Sequence, residues 1–167
     1  MSTAQAAKRL LALARARGLK IATAESCTGG LVAGALTDIA GSSDVVDRGF
    51  VTYSNAAKQS MLGVTPLTLD RAGAVSRETA EEMAQGALAH SDADLAVAIT
   101  GIAGPGGATP GKPVGLVHLA AAARGGRLIH RAKKFGAIGR RKVRRKSVDE
   151  ALAMLELLAK QAPKKTG

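Results

Sequence analysis

Residues 22–30 read Ala-Thr-Ala-Glu-Ser-Cys-Thr-Gly-Gly, and no other stretch restricts the fold as much. An apolar run, Ile21 to Ala24, feeds into a small polar turn; two glycines follow, and an apolar helical pattern begins directly after them. The order is strand, turn, helix. A strand that stops at a hydroxyl and a thiol, with a helix N-terminus just beyond, is a recurrent way to build a reactive site. The helix end offers unpaired N–H groups and a partial positive charge to a developing oxyanion or a phosphate.

The same alternation continues along the chain. Ala7, Leu10, Leu11 and Ala14 fit one helix face, which Gly18 ends. Residues 20–24 read as a strand, 28–39 as a helix and 48–53 as a second strand. Ser54 or Asn55 can cap a helix that stops at Gly63, and a short helix can begin at Pro66. Ser76 caps the clearest helix, with Ala80, Met83, Ala84, Ala87 and Leu88 as its buried stripe. Residues 94–100 form a near-continuous apolar run, as expected of a strand covered on both faces. A Gly- and Pro-rich loop over 101–113 leads to strands at 114–123 and 127–135, joined at Gly125-Gly126. A final helix over 139–160 turns Ala151, Met154, Leu155 and Leu158 inward. Helices alternating with strands, then a late hairpin, predict an α/β fold: a single-domain three-layer α/β/α sandwich with a mixed, mostly parallel sheet over residues 1–162. Residues 163–167 read as a disordered tail.

Composition narrows the setting. With 46% apolar residues the chain can bury a core unaided, and no stretch approaches the roughly 20 apolar residues of a membrane span. The first residues fit an amphipathic helix rather than a secretion signal. One cysteine, Cys27, cannot make an internal disulfide, which points to a reducing cytoplasm. His90, His118 and His130 are scattered and far from Cys27, so no metal site is expected and no cofactor is called for. The net charge of +11 resides in one segment. Eleven Lys or Arg and no acid lie between Arg124 and Lys146, while the other 13 basic residues balance all 13 acidic ones. Such a segment attracts nucleic acid, a phosphorylated metabolite or an acidic partner, unless it is merely a solvated strand face and helix end.

Three segments leave the ends of expected strands: 25–30, 53–58 and 100–107. Ligands of open α/β sheets bind near strand carboxyl ends, so a shared edge would make these loops a cleft. Ser26 is the candidate nucleophile, and a serine hydroxyl needs a base beside it. No histidine stands at such a loop. Lys58 is the alternative, since burial can lower a lysine pKa far enough for it to act as a base, and Tyr53 could orient the pair. The competing readings are plain: a capping serine, a solvated lysine, a packed tyrosine. Cys27 competes with Ser26, though neighbouring residues point in different directions and only one would face the cleft. The run from Thr100 through Gly101 and Gly104 to Gly107 could close backbone N–H groups on a phosphate, or could simply be a tight loop. Arg140 and Arg144 share a helix face and form a candidate anion clamp.

These residues resemble a known family, the CinA C-terminal domain family. The matching words are Ala24-Glu-Ser-Cys-Thr-Gly-Gly30, Gly41-Ser-Ser43, Arg48-Gly-Phe-Val-Thr-Tyr-Ser-Asn55, Lys58, Gly73-Ala-Val-Ser76, Thr100-Gly-Ile-Ala-Gly-Pro105 and Lys112-Pro-Val-Gly115, in that order. The resemblance implies a three-layer α/β/α sandwich, often dimeric. It also implies hydrolysis of the carboxamide of nicotinamide mononucleotide (NMN) to nicotinic acid mononucleotide and ammonia. By that likeness Ser26 is the nucleophile, Lys58 the general base and Tyr53 an assistant. Thr28, Gly29, Gly30, Asn55, Thr100, Gly101 and Gly104 would surround the substrate, with Arg140 or Arg144 joining them. The chain departs from the family's usual Phe-x-Gly-Asp/Asn-Arg before the last helix, reading Phe135-Gly-Ala-Ile-Gly-Arg140 with no acid. A catalytically silent interaction protein and a basic nucleic-acid-binding module are the other readings. The second has little stacking surface, since the chain holds one Tyr and two Phe.

Overall fold

A computed structural model describes residues 1–166. Helix α1 (Thr3–Arg17) opens with a capping box, in which the Gln5 amide donates to Ser2 Oγ and the Ser2 amide to Gln5 Oε1. It ends at Gly18 in the left-handed conformation. Strand β1 (Ile21–Glu25) follows, then α2 (Leu31–Thr37) and β2 (Val46–Val51). Helices α3 (Asn55–Leu62), α4 (Pro66–Ala72) and α5 (Arg77–Ala89) lead to β3 (Leu95–Gly101). The hairpin β4 (Leu116–Ala123) and β5 (Leu128–Lys134) precedes the long helix α6 (Arg140–Gln161). Pro163 to Thr166 lie at the C-terminal end of α1, where the Lys165 amide donates to the Arg17 carbonyl. The last residue of the expected tail, Gly167, lies outside the described residues.

The sheet order is β2-β1-β3-β4-β5. β1 pairs in parallel with both β2 and β3, whereas β4 is antiparallel to β3 and to β5. Only β4 therefore runs against the other strands. The chain leaves β1 toward β2 on one side and returns to β3 on the other. The carboxyl ends of β1 and β3 thus form the point where the strand order reverses, which is where an open α/β sheet leaves a crevice.

The two faces of the sheet are built differently. Leu95, Val97 and Ile99 of β3, with Val117, Leu119 and Ala121 of β4, pack against α1, α2 and α6. The alternate residues Ala22, Ala24, Ala96, Ala98, Ala120 and Ala122 face α5, joined by Met83, Leu88 and Leu62. Alanines on that face let α5 lie close to the strands. Gly86 extends the same economy to α3, since a Cβ there would stand 1.9 Å from the Leu62 carbonyl oxygen.

Two elements differ from the sequence reading for visible reasons. Helix α2 starts at Leu31 rather than near Thr28, because Gly29 and Gly30 hold φ of +58° and +106°, outside helical values. Strand β2 stops at Val51: the Thr52 amide makes the last ladder bond, to the Glu25 carbonyl, and Ser54 then caps α3.

Gly86→Ala is expected to destabilise the fold by about 1–3 kcal/mol through overpacking of α5 on α3. A urea unfolding midpoint unchanged by the substitution would show that the two helices have room to separate.

Candidate functional site

The three strand-end segments meet. A cleft of about 200 Å³ is lined by Ser26 and Cys27 after β1, Tyr53, Asn55 and Lys58 around the start of α3, and Thr100, Gly101 and Ala103 after β3. Ala74, Val75 and Arg140 complete it.

At its base Lys58 is 1% exposed. Its Nζ lies 3.0 Å from Ser26 Oγ, 2.9 Å from the Thr52 carbonyl and 3.3 Å from the Tyr53 carbonyl. Local sequence explains the placement. Ser54 caps α3 by accepting from the Ala57 amide, and the first turn of that helix carries Lys58 inward beneath the bend at Thr52. No carboxylate lies within ion-pair distance of Lys58 among the described residues. Burial without a counter-charge pushes the Lys58 pKa below its ordinary 10.5. The partner set suits a neutral amine. Two N–H groups are taken by the two carbonyls, which leaves the lone pair to accept the Ser26 hydroxyl proton. The ammonium form is also satisfied, donating its third N–H to Ser26 Oγ. The same three contacts therefore serve both ends of a proton transfer.

Ser26 is 9% exposed and opens on the cleft, its amide held by the Ile99 carbonyl at 3.0 Å. It does not cap α2. That work falls to Glu25, fully buried, whose two carboxylate oxygens accept from the Val32 amide at 2.8 Å and the Ala33 amide at 3.0 Å. Cys27 borders the cleft but packs into the core shared by α1, α2 and α6. At 5% exposure its thiol pKa is pushed up to about 11, chiefly by burial. The thiol is therefore neutral and shielded where the hydroxyl is presented.

The remaining sequence candidates divide. Asn55, Thr100, Gly101 and Arg140 line the cleft; Thr28, Gly29, Gly30, Gly104 and Arg144 do not. Thr28 is buried with its hydroxyl unpartnered, and the Gly29 amide is engaged by the Ser26 carbonyl at 3.0 Å. Gly30 borders a separate groove beside α2. The expected clamp of Arg140 with Arg144 does not form, because the two guanidinium groups turn to different partners. Arg140 donates to the Tyr53 hydroxyl at 2.9 Å and to the Gly104 carbonyl at 3.0 Å, which ties the mostly exposed Tyr53 to the glycine loop. Arg144 donates to the carbonyls of Cys27 and Thr28, behind the nucleophile turn. Thr100 is buried, and its hydroxyl donates to the Ala74 carbonyl at 2.7 Å, bringing the 73–76 loop to the cleft wall. Ala74 and Val75 went unassigned in the sequence, although they lie in a recognisable family word, Gly73-Ala-Val-Ser76.

The model of the CinA C-terminal domain matches residues 3–159. The chain belongs to the CinA C-terminal domain family. A solved member, the competence/damage inducible protein CihA of Agrobacterium tumefaciens, is 55% identical and superposes with a TM-score of 0.93 over 96% of this chain and 100% of its own. The CinA superfamily protein KP700603 of Klebsiella pneumoniae is 36% identical, with a TM-score of 0.91 over 97% of this chain and all of that one. Among curated relatives, the nicotinamide-nucleotide amidohydrolase PncC of Enterobacter agglomerans is 53% identical over 121 residues, 72% of this chain and 74% of that protein. A CinA-like protein of Akkermansia muciniphila is 60% identical over 108 residues. This CinA-domain chain spans about a quarter of the length of such longer relatives, 26% in that case.

Two outcomes follow from the burial of Lys58 and Cys27. Between its depressed folded pKa and 10.5, Lys58 is deprotonated in the folded chain and protonated in the unfolded one, so stability rises with pH across that window. Lys58→Met is expected to flatten this rise, read as a smaller gain in urea midpoint between about pH 7 and about pH 10 than the parent shows. Cys27 is expected to resist a thiol-reactive disulfide reagent in the native protein and to react promptly once unfolded. Rapid native labelling at neutral pH would contradict its burial.

Proposed function

We propose that this chain is an amidohydrolase that converts NMN to nicotinic acid mononucleotide and ammonia by a Ser-Lys mechanism, as a step of pyridine nucleotide salvage. The observation that carries the reading is the buried, carboxylate-free amine 3.0 Å from a cleft-facing serine hydroxyl. The likeness to the Enterobacter agglomerans amidohydrolase supplies the substrate.

In this reading Lys58, neutral before reaction, takes the Ser26 proton as Oγ attacks the carboxamide carbon. The Gly29 and Leu31 amides are engaged within the turn and those of Val32 and Ala33 by Glu25, so the oxyanion falls to the Cys27 amide on the cleft wall and the Thr28 amide beside it. One such donor is worth roughly 3–4 kcal/mol of barrier in acyl-transfer sites. Protonated Lys58 then gives its proton to the leaving nitrogen, which departs as ammonia, and an acyl-Ser26 ester remains. Water attacks the ester with Lys58 again as base. The acid leaves, and Ser26 regains its proton. Arg140 and the glycine loop take the phosphate, which carries close to two negative charges at neutral pH. Tyr53, held by Arg140, positions the nucleotide at the rim. No step calls for a metal or an organic cofactor, and the protein works in the cytoplasm as a homodimer.

The basic segment that raised a nucleic-acid reading is partly consumed inside the molecule. Arg124 donates to the carbonyls of Leu88, Ser91 and Ala93, and Arg131 and Lys133 pair with Glu150. Arg144 is occupied behind the nucleophile turn. This favours a small phosphorylated substrate over a duplex.

The test is ammonia release from NMN. The parent chain is expected to turn over, while Ser26→Ala and Lys58→Ala each lose at least about 1,000-fold in kcat. Wild-type turnover in both variants would end the assignment. Activity of the parent is expected to rise with pH through the lowered Lys58 pKa, because the neutral amine is the base.

A further inference from the structure

We infer that Arg144 is a positioning residue for the nucleophile turn, fixing the peptide units that set Ser26 and the neighbouring amides without touching the substrate. The inference rests on the amidase reading of the same cleft, and it concerns a residue that does not line it.

Arg144 stands one turn into α6, and its side chain passes behind residues 26–30. Its Nε donates to the Cys27 carbonyl at 3.0 Å and an Nη to the Thr28 carbonyl at 3.2 Å. Cys27 and Thr28 are both buried, so water cannot replace these bonds cheaply. A peptide unit is planar and trans, with its N–H opposed to its C=O. Gripping the Cys27 carbonyl from the α6 side therefore fixes the Thr28 N–H on the opposite edge. Gripping the Thr28 carbonyl fixes the Gly29 N–H, which donates to the Ser26 carbonyl and so holds the peptide unit whose N–H belongs to Cys27. A charged donor on a carbonyl also polarises that peptide and strengthens its N–H toward an acceptor.

Two features show that the turn is fitted to this guanidinium. Gly29 adopts φ of +58°, and a Cβ there would come within 3.2 Å of an Arg144 Nη, so a side chain would crowd the donor. On the far side, Glu25 holds the Val32 and Ala33 amides, which fixes the start of α2. The five residues between are thus held from both ends: by an anion on amides and by a cation on carbonyls. Ser26 lies at the start of that span, with its amide on Ile99. Loss of Arg144 would free the middle of the turn while leaving Lys58, its carbonyl partners and the Arg140–Tyr53 pair in place.

The experiment compares the full chain with Arg144→Met and Arg144→Lys under two readouts at a temperature where thermal melts show all three folded. The first is NMN hydrolysis. The second is the rate at which a fluorophosphonate labels Ser26, a reaction that forms a serine–phosphorus bond, expels fluoride and passes the serine proton to Lys58. It needs the same turn but no nucleotide. Arg144→Met is expected to lower kcat and the labelling rate by about 100-fold with KM for NMN changed less than about threefold, as for a misplaced reacting group. Arg144→Lys, which reaches one carbonyl with one charge, is expected to recover part of both rates. A folded Arg144→Met that labels and turns over within about twofold of the parent overturns the inference. So does a loss confined to KM. A parent that is labelled but releases no ammonia ends the amidase reading separately, and the labelling comparison then decides Arg144 by itself.

Discussion

A lysine amine sealed under a serine hydroxyl is the constraint around which this molecule is arranged. Burying an ammonium without a carboxylate is costly, and the protein meets that cost with two backbone carbonyls and a pKa that burial pushes below its ordinary value. The carbonyls come from Thr52 and Tyr53, at the bend where β2 gives way to α3. Were the chain to stay extended through Tyr53, the two adjacent carbonyls would point to opposite sides of the strand and could not both reach Nζ, so Lys58 would lose its cradle. The early end of the strand and the inward lysine are one feature.

The sheet supplies the other half. Its order places the carboxyl ends of β1 and β3 side by side, so the turn that bears Ser26 and the loop that follows Thr100 open on one crevice. The first helical turns of α6 close its edge, one arginine facing the cleft and the next, four residues on, bracing the turn from behind. Alanine on the α5 face and larger aliphatic residues on the α6 face leave the strands unequally covered. The compact side is the one against which the α3–α5 segment, and hence Lys58, is seated.

Much of this was legible before any coordinates. Caps and stops are local chemistry, and Gly18, Ser54, Ser76 and Gly63 marked element ends within a residue or two. The near-continuous apolar run over residues 94–100 disclosed a strand buried on both faces. The choice of Ser26 over Cys27 rested on adjacent side chains diverging; in the structure Cys27 is buried in the core while Ser26 Oγ meets the Lys58 amine. What sequence could not disclose was partnership. Glu25 was read as one of several polar groups in a reactive turn, but its carboxylate is spent on α2 amides. Thr100 was read as part of a phosphate loop, but its hydroxyl is spent on Ala74. Arg140 and Arg144 share a helical face, yet their long side chains diverge to different acceptors, which spacing alone does not specify. Ala74 and Val75 carry no polar signal and enter the cleft only because Thr100 tethers their loop.

The most direct measurement is the titration of the Lys58 side-chain amine itself, followed by nitrogen-detected NMR on the lysine-labelled chain and assigned by its loss in Lys58→Arg. The account requires Lys58 to deprotonate well below the other lysines, and to shift again when Ser26 is replaced by alanine. A Lys58 resonance that titrates with the surface lysines, indifferent to the Ser26 hydroxyl, would contradict the shared pocket on which the rest is built.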